Sequence, residues 1–167
     1  MACDSNEIVT CFVFGKRKLI KSDDQVIVKA KVFEPHRTRN DLSVFRISDL
    51  KSGSDERSIW FIGKFVERNR QSGGDRSNLY GRADLSVFQI RDLNLDVIPD
   101  ETPPRHANIE NFPSFSKEAD SECFQIQHKL ADRAEGYLST EVLPEIHDIL
   151  NEDVKVKSEF SDGSPIN

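Results

Sequence analysis

Asp41–Leu50 reads DLSVFRISDL, and Asp84–Leu93 reads DLSVFQIRDL. Eight of the ten positions agree. An internal duplication would explain the match, but the flanks agree only at Arg39 and Arg82, and a repeat architecture needs a sustained period. In the first copy Leu42 and Val44 fall on one face of an extended chain and Phe45 and Ile47 on the other. A segment apolar on both faces predicts a central strand. In the second copy Ser86 is placed to cap a short helix carrying Val87, Ile90 and Leu93, with Asn94 where a left-handed C-cap residue is wanted. A strand over 86–93 is the alternative, because tertiary context overrides local preference.

Upstream, Glu7–Phe14 (EIVTCFVF) is β-branched and aromatic and reads as a strand, with Gly15–Lys18 as the turn after it. Gln25–Phe33 alternates Val26, Val28, Ala30 and Val32 against Lys29 and Lys31. That pattern predicts a half-buried strand that could pair with the first as a hairpin, ended by Pro35. Between the two copies, Lys51–Ser54 reads as a loop. Ser54 is an N-cap, followed by Asp55 and Glu56 where the helix dipole favours acids. Ile59, Ile62 and Val66 then form a helical stripe with Trp60 and Phe65 beside it. Gly63 in that helix costs about 1 kcal/mol against Ala and suggests close packing of another element. Gln71–Asp75 is a flexible break.

Downstream, Leu95–Ile98 reads as a strand ending at Pro99, and Thr102–Pro104 as an extended turn. Arg105–Ile109 is a short extended segment with Ala107 and Ile109 facing the core and His106 and Asn108 on the other face. A helix from about Ser116 to Tyr137 is expected to bury Cys123, Ile126, Leu130, Ala134 and Tyr137 and to cover the sheet. A shorter helix holds Ile146, Ile149 and Leu150, with Pro144 in its first turn.

The chain has 167 residues, enough for one domain with a core that needs no disulfide or metal. Its charge is uneven. Residues 139–167 carry 7 acids and 2 bases, most of the net charge of -6. The organisation expected is a single α+β domain over 1–150 and an acidic, disordered tail over 151–167. The body is near neutral, so net charge neither invites nor forbids nucleic acid. Cys3, Cys11 and Cys123 are odd in number and lack CxxC spacing, which argues against a disulfide framework and fits a reducing compartment. Cys3 is expected in a mobile, inert end, and Cys11 and Cys123 in the core. No apolar run is long enough to span a membrane and no signal-peptide pattern opens the chain, so the expectation is a cytoplasmic protein.

No Gly-rich phosphate loop, GxGxxG, HExxH, zinc-spaced Cys/His set or GxSxG elbow is present. No metal site and no cofactor are expected. The strongest constellation joins Tyr80-Gly-Arg-Ala-Asp84 to Pro104-Arg-His-Ala-Asn108. Arg supplies a bidentate fork, His a proton carrier near neutral pH, and Asp an orienting acceptor. Read as a site, His106 and Asp84 are the catalytic pair, and Arg82, Arg105, Asn108 and Tyr80 bind ligand. Read as structure, Arg82 pairs with Asp84 or Asp100, and His106 bonds the backbone of the Pro-Pro turn. Arg68, Arg70, Arg76 and Arg82 form either a mobile basic flap or a solvated helix end and loop. Lys16, Arg17, Lys18 and Lys21 read as a solvated turn, with no interleaved aromatics for stacking.

The order LSVFRI, Ile59-Trp60 with Gly63, Leu79-Tyr-Gly-Arg-Ala-Asp84, Pro99-Asp100 and Pro104-Arg-His-Ala-Asn-Ile109 resembles a family of small bacterial proteins without an assigned function. The resemblance spans roughly residues 40–138, and Asn111-Phe112-Pro113 stands where that family tends to have Gly-Trp-Pro. It implies a bacterial or phage-related, cytoplasmic setting and carries no reaction with it. The fold expected is α+β, a small, mostly antiparallel sheet with two or three helices packed on one face. Two functions are compatible with the residues. One is a non-enzymatic binding or accessory module with a protein partner in a multi-component bacterial system. The other is a small enzyme or sensor for a phosphorylated ligand, nucleotide or RNA, which requires Arg82 and His106 to converge in one open pocket.

Overall fold

Ile8–Phe14 (β1) is apolar on both faces, so each face must be covered by something else. The computed structural model describes residues 2–48, 56–142 and 144–151. Among these, β1 is followed by β2 (Leu19–Ser22), β3 (Gln25–Val28), β4 (Leu42–Arg46), β5 (Leu79–Ser86), β6 (Asp96–Pro99), β7 (His106–Glu110) and β8 (Glu135–Leu138). The helices are α1 (Glu56–Ser72), α2 (Val87–Arg91), α3 (Glu122–Arg133) and α4 (His147–Asn151). Six strands form one sheet in the order β6-β7-β4-β1-β5-β8, every neighbouring pair antiparallel, and β2 and β3 form a separate hairpin. This is the expected α+β class with a mostly antiparallel sheet.

The helices are shared between the two faces rather than gathered on one. Val9, Cys11 and Val13 of β1 pack with Val44, Ala83 and Leu85 beneath α2 and α3, with Val32 and Phe33 of the 3-10 turn Ala30–Phe33 in the same cluster. Phe12 and Phe14 point the other way, to Ile59, Trp60, Ile62 and Phe65 of α1 and to Ile146. Trp60 is fully buried, as the helical stripe predicts. Burying each large side chain here is worth about 1.5–3 kcal/mol.

The two copies of the near repeat fold differently. Leu42–Arg46 is strand, whereas Ser86 ends β5 and caps α2. Ser86 Oγ accepts from the Gln89 N–H at 3.1 Å, and Gln89 Oε1 accepts from the Ser86 N–H at 2.9 Å. That reciprocal box needs an acceptor three residues after the serine. The first copy has Arg46 there, which only donates. Asn94 takes the left-handed conformation expected of it, φ 60°.

Several expectations are corrected. The strand expected over Gln25–Phe33 stops at Val28, because Val32 and Phe33 turn inward to fill the core. Its hairpin partner is β2 rather than β1, joined at Asp23 and Asp24, with Asp23 at φ 52°. The helix expected over 116–137 spans Glu122–Arg133 and is capped by Ser121, whose Oγ accepts from the Phe124 N–H. The chain then extends into β8, which satisfies the otherwise bare edge of β5. Tyr137 is therefore a strand residue. Cys3 is ordered and buried, its carbonyl accepting from Arg91 Nη2 at 2.6 Å. The expected Lys51–Ser54 loop and Ser54 cap, and the tail from 152, lie outside the described residues.

Gly63, Gly81 and Gly136 mark close approaches. A Cβ on Gly81 would lie 2.3 Å from the Tyr137 carbonyl oxygen, a backbone atom fixed by the β5–β8 ladder. On Gly63 it would lie 2.8 Å from the Phe12 ring and 2.9 Å from Leu79, both side chains. Gly63→Ala also gains about 1 kcal/mol of helix propensity, which offsets part of an overpacking cost of about 1–3 kcal/mol. Gly81→Ala is accordingly expected to destabilise by about 3 kcal/mol, and Gly63→Ala by about 1 kcal/mol, in urea unfolding.

Candidate functional site

Cross-strand register sets the site. Phe45 lies opposite His106 and Ser43 opposite Asn108, so all four share the sheet face that α1 covers elsewhere. Ser43 and His106 are diagonal neighbours, a separation that long side chains bridge. The Ser43 hydroxyl hydrogen-bonds His106 Nε2, and His106 Nδ1 lies 2.6 Å from Asp100 Oδ1. Asn108 Nδ2 donates to Asp100 Oδ2 at 3.3 Å. The Phe45 ring meets the imidazole edge-on, centroids 5.4 Å apart. Ser43 is exposed, and the His106 side chain is 13% accessible against 42% for Asp100.

The turn that carries Asp100 is firmly held. The Asp100 and Glu101 N–H groups both donate to the His106 carbonyl, and the His106 N–H donates to the Pro103 carbonyl. Glu101 accepts from the Arg105 N–H at 2.7 Å and pairs with Arg46, which also binds Glu7 at 2.6 Å. Burial works against ionising Asp100. The Thr102 N–H, the His106 ring and the Asn108 amide outweigh it and hold the carboxyl below its ordinary range. With Asp100 as an obligate acceptor, His106 Nδ1 carries the proton and Nε2 is free to accept from Ser43. Serine, imidazole and carboxylate thus form one continuous relay, open to solvent at the serine.

The sequence-derived residues fall into two groups that do not meet. His106 and Asn108 belong to this relay, and Arg105 flanks it at φ 69°. Arg82 and Asp84 lie on β5, with β4 and β1 between them and β7, about 14 Å away at ordinary strand spacing. Both are 3% exposed. Arg82 Nη2 donates to Glu56 Oε1 at 3.0 Å, the Trp60 indole N–H donates to the same oxygen, and Arg82 Nη1 lies 3.6 Å from Asp84 Oδ2. The guanidinium stacks on Tyr137, 4.5 Å from its centroid. Arg82 is thus buried and paired, chiefly with Glu56, while its Nε has no hydrogen-bond partner. Tyr80 packs against the core on the α3 side. Arg70 pairs with Asp75 and stacks on Phe14.

Sequence reasoning missed Ser43 and gave Asp100 only as a partner for Arg82. The available signal was parity, since Ser43 and Phe45, like His106 and Asn108, are two apart on extended segments. Among the described residues no group of three or more His, Cys, Asp or Glu could hold a metal ion, and no helix is long and apolar enough to cross a membrane. Compared with protein-family models, curated proteins and solved structures, the chain matches none.

A depressed Asp100 pKa adds stability that is present above the ordinary carboxylate range and is lost as pH falls through the folded value. Asp100→Asn should therefore lower the urea midpoint at neutral pH. The gap from the parent should close only as pH falls below the ordinary carboxylate range. A gap independent of pH would show that Asp100 is not held ionised by these partners.

Proposed function

We propose that the protein is a small enzyme that cleaves an ester-type bond with Ser43 as nucleophile. The observation that carries this reading is the unbroken Ser43–His106–Asp100 hydrogen-bond relay. Three roles follow from the chemistry of the groups. Ser43 Oγ attacks the carbonyl carbon while its proton passes to His106 Nε2. Asp100 stabilises the imidazolium from the Nδ1 side. The leaving alcohol takes that proton as the C–O bond breaks, and water then repeats the exchange to release the acid and restore Ser43.

A donor for the developing oxyanion also has a place. The Arg46 N–H points to β7, donating to Arg105 O at 2.8 Å. N–H directions alternate along a strand, so the Ser43 N–H faces β1, whose pairing with β4 ends at Thr10 and Phe45. A backbone N–H facing that gap suits an oxyanion. Of the phosphorylated-ligand alternative drawn from the sequence, this reading keeps His106 as the proton carrier and replaces the Arg82, Arg105 and Asp84 roles with Ser43 and Asp100.

The accessory-module reading rests on a different observation. Ile20 and Ile27 face each other across the β2–β3 hairpin at 41% and 45% exposure, and Phe88 is 64% exposed. Such apolar groups suit a protein partner.

A fluorophosphonate probe separates the two readings. Covalent labelling is expected on Ser43, absent in Ser43→Ala and slowed roughly 100-fold or more in His106→Ala, the usual worth of a general base. Asp100→Asn, which keeps the shape of the side chain, should slow it as well. Folded protein that takes no label at Ser43 would overturn the enzyme reading and leave the partner module.

A further inference from the structure

The relay opens onto a cleft whose lining speaks to the substrate. β1 and β4 pair only at Val9–Arg46 and Thr10–Phe45. Beyond that point β1 continues along β5 to Phe14, while β4 continues along β7 to Leu42. The sheet therefore splits, and a cavity of about 360 Å³ lies in the split, with Ser43 among the residues that line it. That is within the size range of small-ligand sites. Phe12 and Phe45 give it an apolar wall, and Lys18, Lys31 and Arg70 reach it from three separate segments.

Charge in the cleft is predominantly positive. Glu34 also lines it, and Arg70 is paired with Asp75. Lys18 and Lys31 enter no ion pair among the described residues. Arg70 Nε is buried and has no hydrogen-bond partner, an unspent donor beside the cavity. The Cys11 thiol also lines the cavity, and desolvation pushes it up to about 11 against the lowering effect of Lys18 and Arg70.

We infer that this cleft holds the anionic end of the substrate, a carboxylate or phosphate, with the scissile ester at the rim beside Ser43. The substrate class is a small ester bearing one such group. The inference rests on the Ser43 reading for its chemistry, but its binding component can be tested without turnover.

Ser43→Ala keeps the cleft and removes the nucleophile. Calorimetry on this variant would compare a 4-nitrophenyl ester ending in a carboxylate with its neutral methyl-capped counterpart at low salt. The anionic ester is expected to bind at least tenfold more tightly, and the advantage should shrink as salt rises. Adding Lys18→Ala and Lys31→Ala should bring the two affinities together, with the far-UV spectrum unchanged. Equal binding of the two esters, binding of neither, or an advantage that survives loss of both lysines would overturn the inference. None of these outcomes depends on labelling of Ser43, so the cleft and the nucleophile can fail separately.

Discussion

The register of β4 against β7 is the constraint on which the site depends. Side chains alternate with a period of two, so a one-residue slip would send His106 and Asn108 into the opposite face and break the relay. Burial fixes the register from one side. Val44, Ala107 and Ile109 are at most 1% exposed and have no room on the solvated face. The Asp100–Arg105 turn fixes it from the other. Glu101 and Arg105 both adopt positive φ, 55° and 69°, a conformation that non-glycine residues rarely take. Strain of about 1 kcal/mol or more at each is offset by the bonds that Glu101 makes to Arg46 and to the Arg105 N–H. The result is a carboxylate held against His106 before any ligand arrives.

The same sheet carries two polar clusters of opposite character because α1 covers only part of one face. Over β1, β5 and β8 the helix closes the space, and Arg82 must find partners in the dry interior: Glu56, Asp84 and the faces of Trp60 and Tyr137. Removing one partner from such a buried set leaves an uncompensated charge. On β4, Ser43 meets solvent. The split between β1 and β4 then gives that open half a cavity of its own.

Much of the fold was legible because periodicity reports burial directly. The strand β1, the two-faced β4, the Ile59–Ile62–Val66 stripe and the alternation through His106–Ile109 all stand. The divergence of the near repeat turned on one side chain, Gln89 against Arg46, through the capping box. Less legible was anything set by a distant edge. The helix ends at Arg133 because β5 needs a neighbour, and the segment after Val28 turns because the core needs Val32 and Phe33. For the site, spacing placed His106 with Asn108 on a common face, but not the strands lying between them and Arg82 and Asp84. Parity put Ser43 on the face of Phe45, but only the β4–β7 register brings it to the imidazole.

The protonation of His106 tests the relay most directly. Nitrogen-15 correlation spectra of the imidazole, recorded near pH 8 where an ordinary histidine is neutral, would show which ring nitrogen carries the proton. The arrangement requires the Nδ1–H tautomer, its proton shifted downfield by Asp100, and a bare Nε2 facing Ser43. In Asp100→Asn the downfield proton should be lost. A His106 protonated at Nε2 in the unmodified protein would mean that the ring donates to Ser43 instead of accepting from it. The serine would then have no base.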